Sequence, residues 1–298
     1  MAKKKKNSKP RQSFNEMLKE QHFKAQEKEL LQQNEVIVDT EDGCEENSLI
    51  KVIKNIMNSD LKKRPDENVL ENGEIYLVST PIGNLKDITL RALKVLQRVD
   101  IVAAEDTRQT RKLLSYFEIH DKHLESLHIH NEHGKTARLL ERIQAENKSM
   151  AVVSDAGTPC IADPGFFIVR EAVKLGIKVN IIPGVSAVTF AAVAAALPVD
   201  KFMFDGFIPV KSGRKTKFFE EIAESNKTHI MFESPHRIAK TINLIAEVIG
   251  KDTQIAIIRE ATKVYEEIIH GTAIDICERF AEKNWKGELV IVISPQLV

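Results

Sequence analysis

From Gly73 onward, short apolar runs alternate with longer segments of helical spacing, and this rhythm restricts the fold more than any other feature of the chain. EIYLV (74–78), DIVAA (100–104), MAVV (150–153) and KVNII (178–182) are too short for helices and read as strands. HLESLHIH adds a further strand. The intervening ITLRALKVLQ, TRQTRKLLSYF, GKTARLLERIQAEN and FFIVREAVKLG, and then SAVTFAAVAAA, read as helices. Such alternation builds βαβ units on a parallel sheet. After Leu197-Pro198 the pattern changes. FMFDGF and THIMFES are strands around a helix KTKFFEEIAES, and HRIAKTINLIAEVIG is a second helix. QIAIIRE and VYEEIIHG pair as an antiparallel hairpin around ATK, followed by a helix AIDICERFAEKN and a strand GELVIVIS. A mixed sheet thus follows a parallel one. The expected class is α/β, with two α/β domains (73–185 and 186–298) and a ligand cleft between them.

Residues 1–72 lack this rhythm. AKKKKNSKPR leads into a Glu/Gln/Lys-rich stretch and then the acidic TEDGCEEN. QSFNEMLKEQHFKAQEKELLQQ and SLIKVIKNIMN could form weak amphipathic helices, with too little apolar surface for a core. A largely disordered extension is expected, its Lys3–Lys6 run serving equally well as a solvated tail or as a phosphate-seeking arm. The formal charge of the chain is +0, so any basic surface must be local. Cys44, Cys160 and Cys277 lie far apart with no CxxC, which fits a reducing cytoplasm. No apolar stretch follows the N-terminal lysines as in a signal peptide. The longest apolar run, VTFAAVAAALPV, is too short to span a bilayer, so no membrane association is expected.

Small and rigid residues gather just after the strands. STPIGN (79–84), EDTR (105–108), SDAGTPCIADPG (154–165) and PGVSA (183–187) all fall at carboxyl ends of expected parallel strands. Open α/β sheets bind ligands at that edge. Gly83, Gly157 and Gly184 permit close backbone approach, and Pro81, Pro159 and Pro183 fix loop shape in advance. One such turn would be only a tight connection; four at one edge point to a cleft. The absence of GxGxxG and of GxxxxGK[ST] weakens nicotinamide, flavin and P-loop readings and leaves a small adenosyl ligand.

The ordered set LVSTPIGNLKDITLRAL, AEDTRQTRKLL, HNEH, VVSDAGTPCIADPG, PGVSA, FDGFIP, FESPHR, REATKVYEE and KGELVIVI resembles the tetrapyrrole (corrin/porphyrin) methylase superfamily. Within it, the motifs are most similar to the branch that 2′-O-methylates a cytidine in the decoding region of 16S ribosomal RNA. The resemblance runs from residue 73 to about 295; Phe232 and Ala261 stand where Tyr and Leu are expected. It implies S-adenosyl-L-methionine in the cleft, a homodimer, and 16S rRNA within the 30S subunit as partner. By motif it places cofactor loops on Thr80, Pro81, Gly83 and Asn84, on Ser154, Asp155, Ala156, Gly157, Thr158 and Pro159, and on Pro183, Gly184, Ser186 and Ala187. Residues near Phe207 and Glu233 would be added from the second domain.

Methyl transfer from a sulfonium needs alignment and a proton acceptor. Glu105 and Asp106 both sit at a strand end, with Glu105 favoured as the base because Asp106 also suits a helix cap. Ribose oxygen is the expected acceptor, because Cys160 has no neighbouring base to activate it for carbon methylation. Arg108, Arg111 and Lys112 share a helix face and could grip phosphates or simply be solvated. KSGRKTK (211–217) reads as a basic loop, with Lys211, Arg214 and Lys215 the preferred phosphate contacts. His236 and Arg237 follow Pro235 at a helix start, Arg237 contacting RNA or forming an ion pair. His128, His130 and His133 lack HExxH spacing and nearby Cys, so no metal is expected. The resemblance puts HNEH near the substrate, with Asn131 and Glu132 as polar contacts. A porphyrin or corrin methylase and a catalytically silent binding module are the alternatives; the basic segments favour RNA.

Overall fold

The structure is a computed structural model that describes residues 51, 53 and 70–295. The expectations for the N-terminal helices and the Lys3–Lys6 run lie outside the described residues. The described residues from Ile53 onward belong to one compact unit.

The first sheet comprises β1 (Ile75–Val78), β2 (Ile101–Ala104), β3 (His123–Ser126), β4 (Met150–Val153) and β5 (Val179–Ile182), ordered β3-β2-β4-β1-β5. All its pairings are parallel. The three inner strands are buried at every position because helices cover both faces. Tyr76, Val78, Val102, Ala104 and Val153 face α1 (Leu90–Arg98) and α2 (Thr107–Tyr116) through Leu93, Leu96 and Leu114. The alternate residues Ile75, Leu77, Ile101, Ala103 and Met150 face α3 (Glu132–Ala145) and α4 (Phe166–Lys174) through Leu139, Ile143 and Ile168. Each such fully buried aliphatic side chain contributes about 1.5–3 kcal/mol. The register pairs Val78 with Ile182, and Ala104 with both Ser126 and Val153. The strands therefore end flush, and their turns emerge along one edge.

The second sheet comprises β6 (Phe202–Phe207), β7 (Thr228–Glu233), β8 (Gln254–Arg259), β9 (Glu267–Thr272) and β10 (Leu289–Ser294), ordered β6-β7-β10-β8-β9. Only β6–β7 is parallel, as expected for a mixed sheet. One face packs α6 (Ser212–Ala223), α7 (Ile238–Val248) and α8 (Ala273–Arg279). The other face packs α5 (Ala187–Ala194) against Ile230, Ala256, Ile258 and Val292. Thus α5, which follows a strand of the first sheet, is buried on the second. This exchange draws the carboxyl edge of the first sheet against the second.

Two boundaries differ from expectation. The basic segment 211–217 is not a loop: α6 begins at Ser212, so Gly213, Arg214 and Lys215 form its first turns. The β8–β9 hairpin has a longer connection than ATK, because β9 begins only at Glu267. Its turn is closed by the Thr262 N–H donating to Glu266 Oε2 at 2.6 Å.

Candidate functional site

A cavity of about 350 Å³ lies where the two sheets meet, within the usual range for small-molecule sites. The first half contributes Ile82, Ala156–Thr158, Ile161, Asp163 and Ser186–Val188. The second contributes Phe207, Phe232–Pro235, Ile258, Ala261 and Gly287–Val290. The lining is mostly apolar, with Asp163, Glu233 and Glu288 among its residues.

The turn at 154–165 forms one wall. Gly157 adopts φ 77°, a left-handed conformation that a side chain would strain. Its backbone exchanges two hydrogen bonds with Thr80, at 2.8 and 3.1 Å. Thr80 Oγ1 also donates to the Ser154 carbonyl at 3.2 Å, and the hydroxyls of Ser79 and Thr158 meet at 3.0 Å. Cys160 and Ala162 hold φ of 74° and 63°, which costs each roughly 1–2 kcal/mol. Backbone strain of this kind collects at ligand sites, where surrounding contacts must enforce it.

The chief enforcing contact is Glu132. Its Oε1 accepts from the N–H groups of Gly165, Phe167 and Ile168 at 3.1, 2.7 and 3.2 Å. This buried carboxylate caps the start of α4, where Gly165 has no side chain to do so. The expected substrate role of Glu132 is therefore corrected: the residue is buried and its Oε1 is engaged three times over by the start of α4. Asn131 is likewise engaged internally, accepting from the His128 N–H at 2.9 Å and donating to the Ser126 carbonyl at 3.3 Å.

Asp163, at the far end of the same turn, faces the cavity. Burial pushes its carboxyl up to about 6, with the charges of Glu105, Asp155 and Glu288 adding to the rise. The Ser154 hydroxyl opposes the rise in part, and a cationic ligand would relieve the remaining negative field. Glu233 is different. Oε1 accepts from Arg237 at 2.5 Å and from the Ser234 N–H at 2.7 Å; Oε2 accepts from Thr241 Oγ1 at 2.7 Å, with Lys215 Nζ at 3.8 Å. Arg237 thus forms the ion pair rather than offering a free charge. Lys215 points inward and donates to Thr241 Oγ1 at 3.1 Å; burial pushes its ammonium down. Its expected phosphate contact is corrected, while Lys211, Arg214 and His236 remain exposed.

The EDTR turn sits behind this wall. Asp106 caps α2, accepting from the Arg108 N–H at 2.8 Å, and pairs with the Arg108 guanidinium at 2.7 Å. The Arg108 contact holds its carboxyl at about 2, so Asp106 is a weak base and its catalytic assignment is corrected. Arg111 and Lys112 are exposed. Burial raises the carboxyl of Glu105, opposed by a bond to its Oε2 from the Asp155 N–H at 3.3 Å. Asp155 in turn accepts from the Asp106 N–H at 3.0 Å.

Several expected cofactor residues frame the cavity without lining it: Thr80, Pro81, Ser154, Asp155, Pro159, Pro183 and Gly184. Gly184 lets its turn close on β1, since a Cβ there would stand 2.7 Å from Ser79 Cβ. Gly83 and Asn84 have another partner altogether. A Cβ on Gly83 would collide with Lys263 Cγ and lie 2.9 Å from Thr262 Oγ1, and the Asn84 N–H donates to Thr262 Oγ1 at 3.1 Å. These two residues join the halves. Sequence reasoning missed Asp163, Ile161, Ile82 and Glu288. Asp163 carried a signal, lying within the quoted turn but beyond SDAGTP. Among the described residues, no group of three or more His, Cys, Asp or Glu side chains is placed to hold a metal. None of the described helices is long and apolar enough to cross a membrane.

Residues 74–277 match the family model described as Tetrapyrrole (Corrin/Porphyrin) Methylases. The chain belongs to the tetrapyrrole methylase family. It is 42% identical over 224 residues to a Halalkalibacterium halodurans protein named ribosomal RNA small subunit methyltransferase I, covering 75% of this chain and 76% of that one. It is 41% identical over 222 residues to a Synechocystis protein of the same name, covering 74% and 79%. The fold is shared with uroporphyrin-III-C-methyltransferase from Thermus thermophilus: TM-score 0.53, 19% identity, 75% of this chain and 95% of that one. The cofactor of this methylase is S-adenosyl-L-methionine. The cavity suits it, with apolar walls for the adenosyl group, backbone at 156–158 and 186–187 for polar edges, and Asp163 for a ligand with cationic groups.

Proposed function

We propose that this methylase modifies ribosomal RNA of the small subunit, on the 2′-oxygen of a cytidine in the decoding region of 16S rRNA, acting on the 30S particle in the cytoplasm. The observation that carries the reading is the 42% identity to a small-subunit rRNA methyltransferase over 224 residues, 75% of this chain. Exposed Lys211, Arg214, Arg111 and Lys112 supply local positive charge for a polyanion, although the chain is neutral overall.

When bound, the cofactor supplies an electrophilic methyl on a sulfonium. Asp163 offsets that cationic charge from the cavity wall, and Gly157 keeps the backbone low enough for the ligand to seat. Glu105, whose proton affinity is raised by burial and whose charge reaches Asp163 of the cavity wall, is the candidate proton acceptor, provided it gains access past that wall when RNA binds. Cys160 supports an oxygen acceptor, because burial pushes its thiol up to about 11 and leaves it protonated at neutral pH. Cys277 lies on α8, among residues packed on the face of the second sheet opposite α5.

The experiment is transfer of labelled methyl to 30S subunits lacking the modification, followed by nucleoside analysis. Label on the ribose of cytidine is expected. Label on a base would refute the 2′-O assignment, and transfer only to a porphyrin or corrin would replace the RNA reading. Homodimer formation accords with exposed Val193, Phe202 and Met203, and light scattering at micromolar concentration tests it.

A further inference from the structure

One side chain of the cavity wall is also the most open aromatic beside it. Phe207 lines the cavity yet keeps 64% of its surface exposed. Its position depends on an irregularity in β6. Phe204 pairs with Ile230 and Gly206 with Met231, so Asp205 is an extra residue in the strand. Regular alternation would put Phe207 on the face opposite Phe204. The bulge shifts it by one, so Phe207 pairs with Phe232 and joins Phe204 on the cavity face. Gly206 takes φ 71° to make the bulge, and Asp205 Oδ2 pins it to His229 Nδ1 at 2.9 Å.

The ring is also held. Phe207 meets Phe232 edge-on at 5.4 Å, and Phe232 meets Phe204 edge-on at 5.0 Å. Such a row keeps an exposed ring in one orientation. Just beyond it come Val210 at 77% exposure and the exposed cations Lys211 and Arg214. An aromatic platform followed by cations is the arrangement that binds unpaired nucleotides, the ring taking a base and the cations its flanking phosphates.

We propose that Phe207 stacks the base of the target nucleotide and so presents its ribose to the cavity, with Lys211 and Arg214 on the neighbouring phosphates. This rests on the RNA reading above. The base is a single-stranded one, since stacking on a side chain requires it to leave its own stack.

The test compares Phe207→Ala, Phe207→Leu and Phe207→Trp in methyl transfer to 30S subunits, with calorimetric binding of S-adenosylhomocysteine alongside. Ala and Leu should each lower kcat/KM about tenfold or more, while Trp stays within about threefold of the native enzyme. Product affinity should fall by a clearly smaller factor than kcat/KM in the Ala and Leu variants, the residual loss reflecting the place of Phe207 in the cavity wall. Full activity of Phe207→Leu would show that only apolar bulk matters and overturn the stack. A parallel loss of product affinity would make Phe207 a cofactor wall and overturn it equally. Absence of any transfer by the native enzyme would remove the RNA reading and this assignment together, whereas an active native enzyme beside an unaffected Phe207→Leu removes only the assignment.

Discussion

At the ends of β1 and β4, which pair directly, stand two turns built from the same residue types. STPIGN leaves β1 and SDAGTPCIADPG leaves β4. Gly157 of the second turn lines the cavity; Gly83 of the first is pressed against Thr262 and Lys263 of the opposite half. A small residue at a sheet edge therefore records that backbone must come close to something. What it approaches, ligand or protein, is decided by residues far away in sequence.

Breaking each turn by its own anchor gives the sharpest contrast. Glu132→Ala should have the largest effect, because it strands three N–H groups at the start of α4, two of them buried, and frees the strained backbone at Cys160 and Ala162. A loss of about 3 kcal/mol is expected in denaturant unfolding. Glu132→Gln keeps an acceptor and should recover about half of it. Equal stability of Glu132→Ala and the native protein would show that the cap is not what holds the turn.

Gly83→Val and Gly157→Val separate the two uses of glycine. At Gly83 the new side chain meets Lys263 Cγ and the Ala261 carbonyl, so about 2 kcal/mol of stability should go while cofactor affinity in the folded fraction changes little. At Gly157 the nearest atom, Ile82 Cγ2, is 3.4 Å away, and the cost is left-handed strain of roughly 1–2 kcal/mol. There the affinity should collapse, since the branched side chain enters the cavity. Calorimetry on both variants decides the matter; the reverse pattern would exchange the roles of the turns.

Much of this was legible in the sequence. Strand and helix periodicity placed both sheets, because inner strands with two covered faces must be largely apolar. The mixed character of the second sheet followed from the hairpin. The site was legible only as an edge. Glu132 was expected to contact substrate and Lys215 to reach phosphate from a basic loop, yet each is buried by a tertiary partner: the N–H groups of α4 for one, the Glu233 network for the other. Asp106 was read both ways, and local geometry settles it, since a cap needs only its own helix. The role of Gly83 was illegible because the 261–263 turn lies almost 180 residues along the chain.

Asp163 sharpens the comparison through pH, because the 154–165 turn, unlike STPIGN, places a carboxylate with raised proton affinity in the cavity. Its folded value of about 6 exceeds the ordinary 3.8, so the folded state binds the extra proton in that interval. The stability contribution is therefore complete below pH 3.8 and lost as pH rises through about 6. Asp163→Asn should flatten this fall and stabilise the cofactor-free protein at pH 7 by about 1 kcal/mol, after discounting for solvent screening. Cofactor affinity should run the other way in the native protein, rising through about pH 6 as the carboxylate ionises to meet a cationic ligand. That rise should be weaker for S-adenosylhomocysteine, which lacks the sulfonium, and absent in Asp163→Asn. Identical pH profiles for the two ligands would detach Asp163 from the sulfonium.

The smallest expected effect lies on α6, where neighbouring cations of one basic segment part company as the two turns do. Lys211 and Arg214 are exposed, whereas Lys215 is buried against Thr241 and Glu233. Exposed cations that meet phosphate release counterions, and each contact on a single strand contributes about 0.7 to the slope of log affinity against log salt. Replacing Lys211 and Arg214 together by Ala should thus reduce the slope for RNA binding by about 1.4. Lys215→Met should leave the slope unchanged. It should instead lower stability, because the buried Glu233 carboxylate loses a neighbouring positive charge while Arg237 remains. Fluorescence titration of a labelled RNA across a salt series measures the slope, and thermal unfolding measures the second effect. A slope that falls with Lys215→Met would mean that this side chain leaves its internal partners when RNA binds. An unchanged slope in the double variant would move the phosphate contacts to Arg111 and Lys112 on α2.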